Sequence, residues 1–361
     1  MSFNSFGKIF KITTFGESHG NSVGVIIDGC PSGIHITDEE IQLFVDQRKG
    51  GKNNYTTKRA EDDKIEILSG IYQNKTLGTP IAIIVKNKDI KSEDYENILT
   101  SYRPSHADFS WHKKFTHVDP RGGGRSSARE TIARVIGGAI ALKILDIYNI
   151  KIIPFIKQIG NISINAENIN YDNINNNIFK SPDESVVSLW QNILDQAVSQ
   201  GDSIGGVIEI HIKNTPIGLG EPVFEKLNAN LAKALFTIPA VKGVEFGEGF
   251  NLVKKQGSNA NDELESINNT IKFKTNNNGG ILGGISTGED IVIKVGIKPA
   301  SSIATKQNTV DHNGNNISIN IKGRHDAFIA LRALSVCKAM CALVIADNLL
   351  INKIRNLNID L

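Results

Sequence analysis

Cysteine is scarce in this chain. Its 361 residues hold three, Cys30, Cys337 and Cys341, which cannot make a disulfide framework and suit a reducing compartment. No apolar run reaches about 18 residues, so no transmembrane helix and no membrane partner are expected. The start, Met1 to Lys8, lacks a basic segment followed by an apolar one, so the sequence predicts no secretory leader and a cytoplasmic protein. Charge of one sign is not in excess either. The 40 Lys and Arg against 38 Asp and Glu give +2, which counts against a nucleic-acid coat, local patches aside. No metal site is expected: there is no H-E-x-x-H and no C-x-x-C, and His112 and His117 have no adjacent pair of carboxylates. A G-x-x-x-x-G-K-[ST] phosphate loop is absent as well.

Arginine is the most informative scarcity, with 10 of the 40 basic residues. Where Lys is the default cation, an Arg marks a position that wants a planar fork for carboxylate or phosphate rather than a point charge. Arg103, Arg121, Arg125, Arg129 and Arg134 fall in one stretch that also holds His106, His112 and His117. A solvated basic face and an anion site both answer to that cluster. The flanking residues favour the second. In Gly122-Gly123-Gly124-Arg125-Ser126-Ser127-Ala128-Arg129-Glu130, Ser127 and Glu130 read as a capping box that opens a helix. Glycines there expose backbone N–H groups at the positive end of the helix, beside two guanidinium forks, which suits phosphate. The stretch is not a dinucleotide fingerprint, because only part of G-x-G-x-x-G is filled and no strand leads into it.

Three more polar turns carry chemistry. Gly16-Glu17-Ser18-His19-Gly20 formally matches the nucleophile elbow G-x-S-x-G, but strand-like residues follow where the elbow needs a helix. A serine hydrolase built on Ser18 stays open as an alternative, as does a non-catalytic anion- or nucleic-acid-binding module. Arg103-Pro104-Ser105-His106-Ala107-Asp108 places a His where it can protonate an anionic leaving group held by the Arg. In Gly323-Arg324-His325-Asp326, Asp326 reads as a site residue or as a helix N-cap.

Periodicity and turn residues predict strands over 8–15, 23–27, 64–69, 80–86, 207–212 and 290–297. They predict helices after Thr37, whose capping partner is Glu40, and over 128–148, 183–200, 223–236 and 327–350. Residues 48–59 and 255–280 read as mobile loops, and the Asn-rich 160–180 as a surface excursion. The two halves look alike. Ser22-Val23-Gly24-Val25-Ile26 leads to Pro31-Ser32-Gly33, as Ser203-Ile204-Gly205-Gly206-Val207-Ile208 leads to Pro216-Ile217-Gly218. The expectation is one composite domain, 1–361, duplicated as pseudo-repeats of about 22–148 and 203–350. Its long helices should pack together and bring Arg125 and Arg324 to one site.

Taken together these segments resemble the chorismate synthase family. Gly16-Glu17-Ser18-His19-Gly20, running through Val23 to Asp28-Gly29-Cys30-Pro31, is similar to its first signature, and Gly124-Arg125-Ser126-Ser127-Ala128-Arg129-Glu130-Thr131 to its second. Arg103-Pro104 with His106-Ala107-Asp108, Ala240-Val241-Lys242-Gly243-Val244-Glu245, Gly279-Gly280-Ile281-Leu282-Gly283-Gly284 and Lys298-Pro299-Ala300-Ser301-Ser302 also match. The third signature is partial. After Arg324-His325-Asp326 the chain has Ala327 and Phe328 where the family usually has Pro and Cys. Lys338 stands where Glu is usual, and Asn54 where a second Arg often follows Arg48, with Lys52, Lys58 or Arg59 as the compensating cations.

The resemblance implies an α+β fold, a helical layer sandwiched between antiparallel sheets, and a homotetramer. It implies a lyase that eliminates phosphate and a ring proton, 1,4, from 5-enolpyruvylshikimate 3-phosphate to give chorismate, with reduced FMN and no net redox change. Family members differ in whether NADPH or an external reductant reduces the flavin. Arg48, Arg103, Arg129 and Arg324 would hold the substrate's anions, and His106 would assist departure of the phosphate. His19 would balance the flavin's negative charge. Asp326, relayed through Ser18 and Ser127, would help move a proton at the flavin N5. The flavin would contact Arg125, Ser126, Ser127, Pro239, Ala240, Gly283, Lys298, Pro299, Ala300, Ser301, Ser302 and Arg324.

Overall fold

A computed structural model describes residues 3–51, 53–57, 62–88, 100–119, 123–320 and 326–355. In the first half Ser5–Phe6 (β1), Lys11–Phe15 (β2) and Ser22–Asp28 (β3) precede helix Asp38–Gln47 (α1). Ile65–Ser69 (β4), the hairpin Ile71–Tyr72 (β5) and Lys75–Thr76 (β6), and Ile81–Lys86 (β7) follow, then Asp108–Lys114 (α2) and Thr131–Ile147 (α3). The second half runs Lys151–Ile159 (β8), Ile162–Ser163 (β9), Val187–Ser199 (α4), Gly206–Lys213 (β10), Leu227–Phe236 (α5), Val241–Phe246 (β11) and Gly257–Ala260 (α6). It continues with Leu264–Ile267 (β12), Thr270–Phe273 (β13), Ile281–Leu282 (β14), Ile285–Ser286 (β15), Ile291–Ile297 (β16), Gln307–Val310 (β17), Asn316–Ile319 (β18) and Ala330–Arg355 (α7).

Two five-stranded antiparallel sheets result, ordered β1-β2-β3-β7-β4 and β11-β16-β10-β8-β9. Each buries one face, and the strands show why: Ile81, Ile83 and Val85 of β7, and Ile291, Ile293 and Val295 of β16, alternate inward with period two. The β-branched residues suit that pleated, half-buried surface. The helices fill the space between the sheets. α3 and α1 pack toward the first sheet, α7 and α5 toward the second, and α3 lies along α7. The predicted helical layer between antiparallel sheets is the observed architecture. α7 is long and apolar enough by composition to cross a membrane, but 83% of its most apolar window is buried in this core.

Several local readings change. The box predicted at Ser127 does not form. The Ser127 hydroxyl accepts from the Arg129 N–H at 3.3 Å, a 3-10 turn occupies Ala128–Glu130, and the Glu130 carboxylate pairs with Arg134 at 2.8 Å instead of reaching back. The box at Thr37 does form: Thr37 Oγ1 accepts from the Glu40 N–H, and the Glu40 carboxylate accepts from the Thr37 N–H. Strand β8 is one the periodicity does not single out, because its Pro154 and mixed polarity hide it. The expected 255–280 loop contains the β12–β13 hairpin, closed by Asp262, which accepts from the Asn277 and Asn278 N–H groups. The 160–180 excursion is tied down by buried Ile164, Ile174 and Phe179. In the other expected loop, residues 53–57 are anchored. The Tyr55 hydroxyl donates to Asp195 at 2.7 Å and its ring stacks on Phe179.

Candidate active site

Residues of both halves enclose a cavity of about 600 Å³, within the roughly 300–1,000 Å³ of small-molecule sites. Its wall is cationic: Arg48, Lys49, Arg103, Arg129, Lys242, Lys298 and Arg332 line it, with Asp63 and Asp326 as the acids among the described lining residues. Each arginine is held in place. Arg48, at the C-terminus of α1, donates from Nε to Thr131 Oγ1 at 2.7 Å and from Nη2 to the Ala128 carbonyl at 2.9 Å. Its Nη1 lies 3.8 Å from the Asp63 carboxylate. Burial, and then the Arg332 charge, pull the Arg48 guanidinium below the ordinary arginine range, while Asp63 works the other way. Arg129 donates from Nε to Asn87 Oδ1 at 2.6 Å and from Nη1 to Asp63 at 3.0 Å.

Arg103 grips Asp108 with Nε and Nη2, both at 2.7 Å, the fork-on-carboxylate pairing that fixes a guanidinium plane. Burial works to raise the Asp108 carboxyl, but the Arg103 hydrogen bond and charge prevail and hold it below its usual range. Arg332 of α7 meets Asp326 at 3.0 Å, and the other oxygen of Asp326 accepts the Thr57 N–H at 2.9 Å. Asp326 thus lines the cavity, four residues before α7 begins at Ala330. His106 Nε2 lies 3.0 Å from the Ser302 hydroxyl. The Ser105 carbonyl accepts from Lys298 Nζ at 3.0 Å and from Ser301 Oγ at 3.3 Å, which docks the His106 turn on the 298–302 loop. Burial, then neighbouring Lys242, pulls the Lys298 ammonium down. Asp63, Ser105 and Ala240 all line the cavity with left-handed backbones, φ 43°, 57° and 71°, strain of the kind that collects at functional sites.

The structure therefore gathers Arg48, Arg103, Arg129, His106, Asp326, Ser126, Ser127, Pro239, Ala240 and Lys298 through Ser302 at one cavity. Ser18, His19, Arg125 and Gly283 do not line it. Ser18 and His19 are buried in the β2–β3 turn, Oγ to Nδ1 at 2.9 Å, with the Ser18 N–H on the Gly124 carbonyl at 3.3 Å. Ser18 thereby joins the glycine-rich turn through its backbone. Residues 124–126 form a 3-10 turn, which swings successive side chains apart. While Ser126 faces the cavity, Arg125 reaches Thr14 Oγ1 at 2.7 Å and the Gly16 carbonyl at 3.2 Å. Gly283 sits in the β14–β15 turn with open space where a side chain would be. Arg324, Lys52, Lys58 and Arg59 lie outside the described residues. The nucleophile-elbow alternative fails on context, because Ser18 is buried between two strands.

Asp63, Thr57 and Arg332 line the cavity and Asn87 accepts from the Arg129 guanidinium there, and the sequence reading misses all four. Arg332 had a signal, as one of the 10 arginines. Asp63 and Asn87 had none, since each joins the site through long-range contacts alone. The departures from the family pattern fall mostly in the core. The Phe328 ring is fully buried against Gly206 of β10, and Lys338, pulled down by burial, lies 5.8 Å over the Phe44 ring. Asn54 is exposed.

A family model described as chorismate synthase matches residues 10–350. The chorismate synthase of Agathobacter rectalis is 47% identical over 352 residues, 98% of this chain and 96% of that protein. That of Synechocystis sp. is 48% identical over 352 residues, 96% of this chain and 97% of that protein. A crystal structure of chorismate synthase superposes with a TM-score of 0.76 at 29% identity, over 96% of this chain and 93% of that one.

Proposed function

The chain belongs to the chorismate synthase family, and we propose that the cationic cavity is where it performs the family's reaction. It converts 5-enolpyruvylshikimate 3-phosphate to chorismate by eliminating phosphate and a ring proton, and the family needs a reduced flavin to do so. The observation that carries the assignment is the convergence of Arg48, Arg103, Arg129 and His106 on one wall. The substrate bears a phosphate and two carboxylates, so a chain of net charge +2 can host it only by concentrating its cations, as it does here.

In this reading Arg48, Arg103 and Arg129 bind the three anionic groups, with Arg324 as a fourth candidate. Arg forks match carboxylate and phosphate oxygens two at a time. His106 protonates the phosphate as it leaves, and Ser302 orients the imidazole. Asp326, held by Arg332, would help move a proton at the flavin N5, with Ser127 lining the same cavity. His19 would balance the flavin's negative charge and Ser18, hydrogen-bonded to it, would join Ser127 in the relay from Asp326.

We infer that the flavin is FMN and that NADPH is its candidate reductant. The donor set fits an isoalloxazine and its phosphate. Ser126, Ser127, Ser301 and Ser302 supply hydroxyls, Pro239 and Ala240 an apolar edge, and Lys298 a cation. When bound, reduced FMN supplies electron density to the allylic system. The protein's part is to position, to pair charge and to exclude water.

A homotetramer is the proposed assembly. It is supported by Ile217, Phe224, Phe250, Val253 and Ile271, each about three-quarters exposed or more, as side chains awaiting a partner are. A cytoplasmic setting is supported by three buried free thiols. The single composite domain is read as a duplication. Its support is the matching order β2-β3-α1-β4-β5-β6-β7-α3 and β8-β10-α5-β11-β14-β15-β16-α7, with β7 and β16 in equivalent sheet positions.

The deciding experiment is anaerobic release of phosphate from 5-enolpyruvylshikimate 3-phosphate, with chemically reduced FMN and without flavin. Release with chorismate formation in the first case only is the expected result. Release without flavin, or none from folded protein, overturns the assignment. A further arm with oxidised FMN and NADPH reads self-reduction.

A further inference from the structure

We propose that Asp63 is a positioning residue of the reaction: its buried carboxylate sets the Arg48 and Arg129 guanidinium groups in the arrangement that receives the substrate's anions. The inference rests on the reading of the cavity as the substrate site. A carboxylate in the wall of a site for a substrate with three anionic groups opposes binding unless it serves the cations around it, and the geometry shows that service. Arg129 Nη1 lies 3.0 Å from Asp63 Oδ1, and Arg48 Nη1 lies 3.8 Å from Oδ2. The Asp63 side chain is 4% exposed.

The backbone holds the carboxylate there. Asp63 is left-handed, φ 43°, a conformation Asp tolerates better than most residues. Gln42 of α1 clasps the turn from both sides, donating from Nε2 to the Asp63 carbonyl at 3.2 Å and accepting the Ile65 N–H at 3.0 Å. The same helix ends at Arg48, so one rigid element fixes both the acid's turn and one of its arginines. Arg332 and Glu130 are the other charges near Arg48, the first repelling its guanidinium and the second favouring it. Asp63 offsets the repulsion among Arg48, Arg129 and Arg332. It orders two long side chains during folding, so less ordering entropy is lost when substrate binds.

The test measures KM and kcat for 5-enolpyruvylshikimate 3-phosphate with reduced FMN, together with FMN affinity and the thermal midpoint. The variants are Asp63→Asn, Asp63→Glu, Arg129→Ala and the double variant Asp63→Asn/Arg129→Ala. Loss of a charge-assisted bond predicts that Asp63→Asn raises KM about 10- to 100-fold, with a smaller fall in kcat and FMN affinity kept. Asp63→Glu recovers part of the loss. Because Asp63 acts in part through Arg129, the double variant raises KM by less than the product of the two single effects. A lowered midpoint with parental KM in Asp63→Asn shows a merely structural acid and overturns the proposal, as do multiplicative KM effects in the double variant. Should Asp63→Asn not fold, Asp63→Glu decides: a raised KM with a parental midpoint supports the proposal and a parental KM overturns it. A parental KM in Arg129→Ala sinks the substrate-site reading itself; a raised KM there with parental Asp63 variants sinks this proposal alone.

Discussion

Two adjacent glycines in α3 make a sharp test of the helical core. A Cβ built on Gly138 meets Ala339 Cβ at 2.4 Å and Ala339 Cα at 2.5 Å, against roughly 3.5–4.0 Å for a relaxed carbon pair. The obstacle is backbone of α7, so no rotamer change relieves it and the two central helices must separate. Overpacking of this kind costs about 1–3 kcal/mol. Ala returns about 1 kcal/mol of helix propensity over Gly, which leaves a net loss of up to about 2 kcal/mol for Gly138→Ala. At Gly137 the added carbon meets Ile12 Cγ2 at 2.9 Å, a side-chain methyl and not backbone, and next Leu343 Cδ2 at 3.6 Å. Gly137→Ala is therefore near neutral, within about 1 kcal/mol. The consequences reach the site, because α3 begins just after Arg129 and α7 just after Asp326. Thermal melts and kcat/KM on both variants check the reasoning. Gly138→Ala melts a few degrees lower and loses turnover; Gly137→Ala keeps both. Equal melting of the two, or the reverse order, refutes the claim that helix contact at Gly138 sets the core.

His106→Ala lowers turnover by about 10²–10⁴-fold, the range of a general acid, and leaves FMN affinity near parental; equal losses in both take the acid role away. Arg48→Ala raises the KM for 5-enolpyruvylshikimate 3-phosphate about tenfold or more and lowers the midpoint, because charge-assisted bonds to Thr131 and Ala128 go with it; an unchanged KM removes Arg48 from the site. Glu209 is buried between Lys157 and His211. Burial works to raise its carboxyl, but hydrogen bonds from His211 and Lys157 hold it below the ordinary 4.5. A depressed folded value means its stabilisation is complete above pH 4.5 and is lost as pH falls through that lower value. Glu209→Gln melts should lie below parental ones at neutral pH and converge with them in acid; parallel curves to low pH count against the linkage.

Local rules suffice where a residue's role is decided by its neighbours in sequence. The Thr37–Glu40 box, the alternating Ile of β7 and β16, and the long apolar helix near the C-terminus are of that kind. The signature turns were legible too, and the scarcity of arginine pointed to the anion site before any coordinate did. Where the same rules misled, a competing partner or a local turn had intervened. Ser127 and Glu130 have the spacing of a box, but Arg134 takes the Glu130 carboxylate. Arg125 and Ser126 are adjacent in sequence, yet a 3-10 turn sends one toward β2 and the other to the cavity. Tyr55 reads as part of a mobile loop until Phe179 and Asp195 fix it.

The sequence by itself determined the family, through that resemblance the fold class, and the cast of arginines and histidines, because the motifs that carry them are short and local. The tertiary structure alone decided which of them face one cavity and which acids hold them. Asp63 reaches Arg129 across 66 positions, and Arg332 reaches the Arg48 carbonyl across 284. Charge pairing at such separations depends on how two sheets and two helices close on each other, and no window of sequence contains that distance.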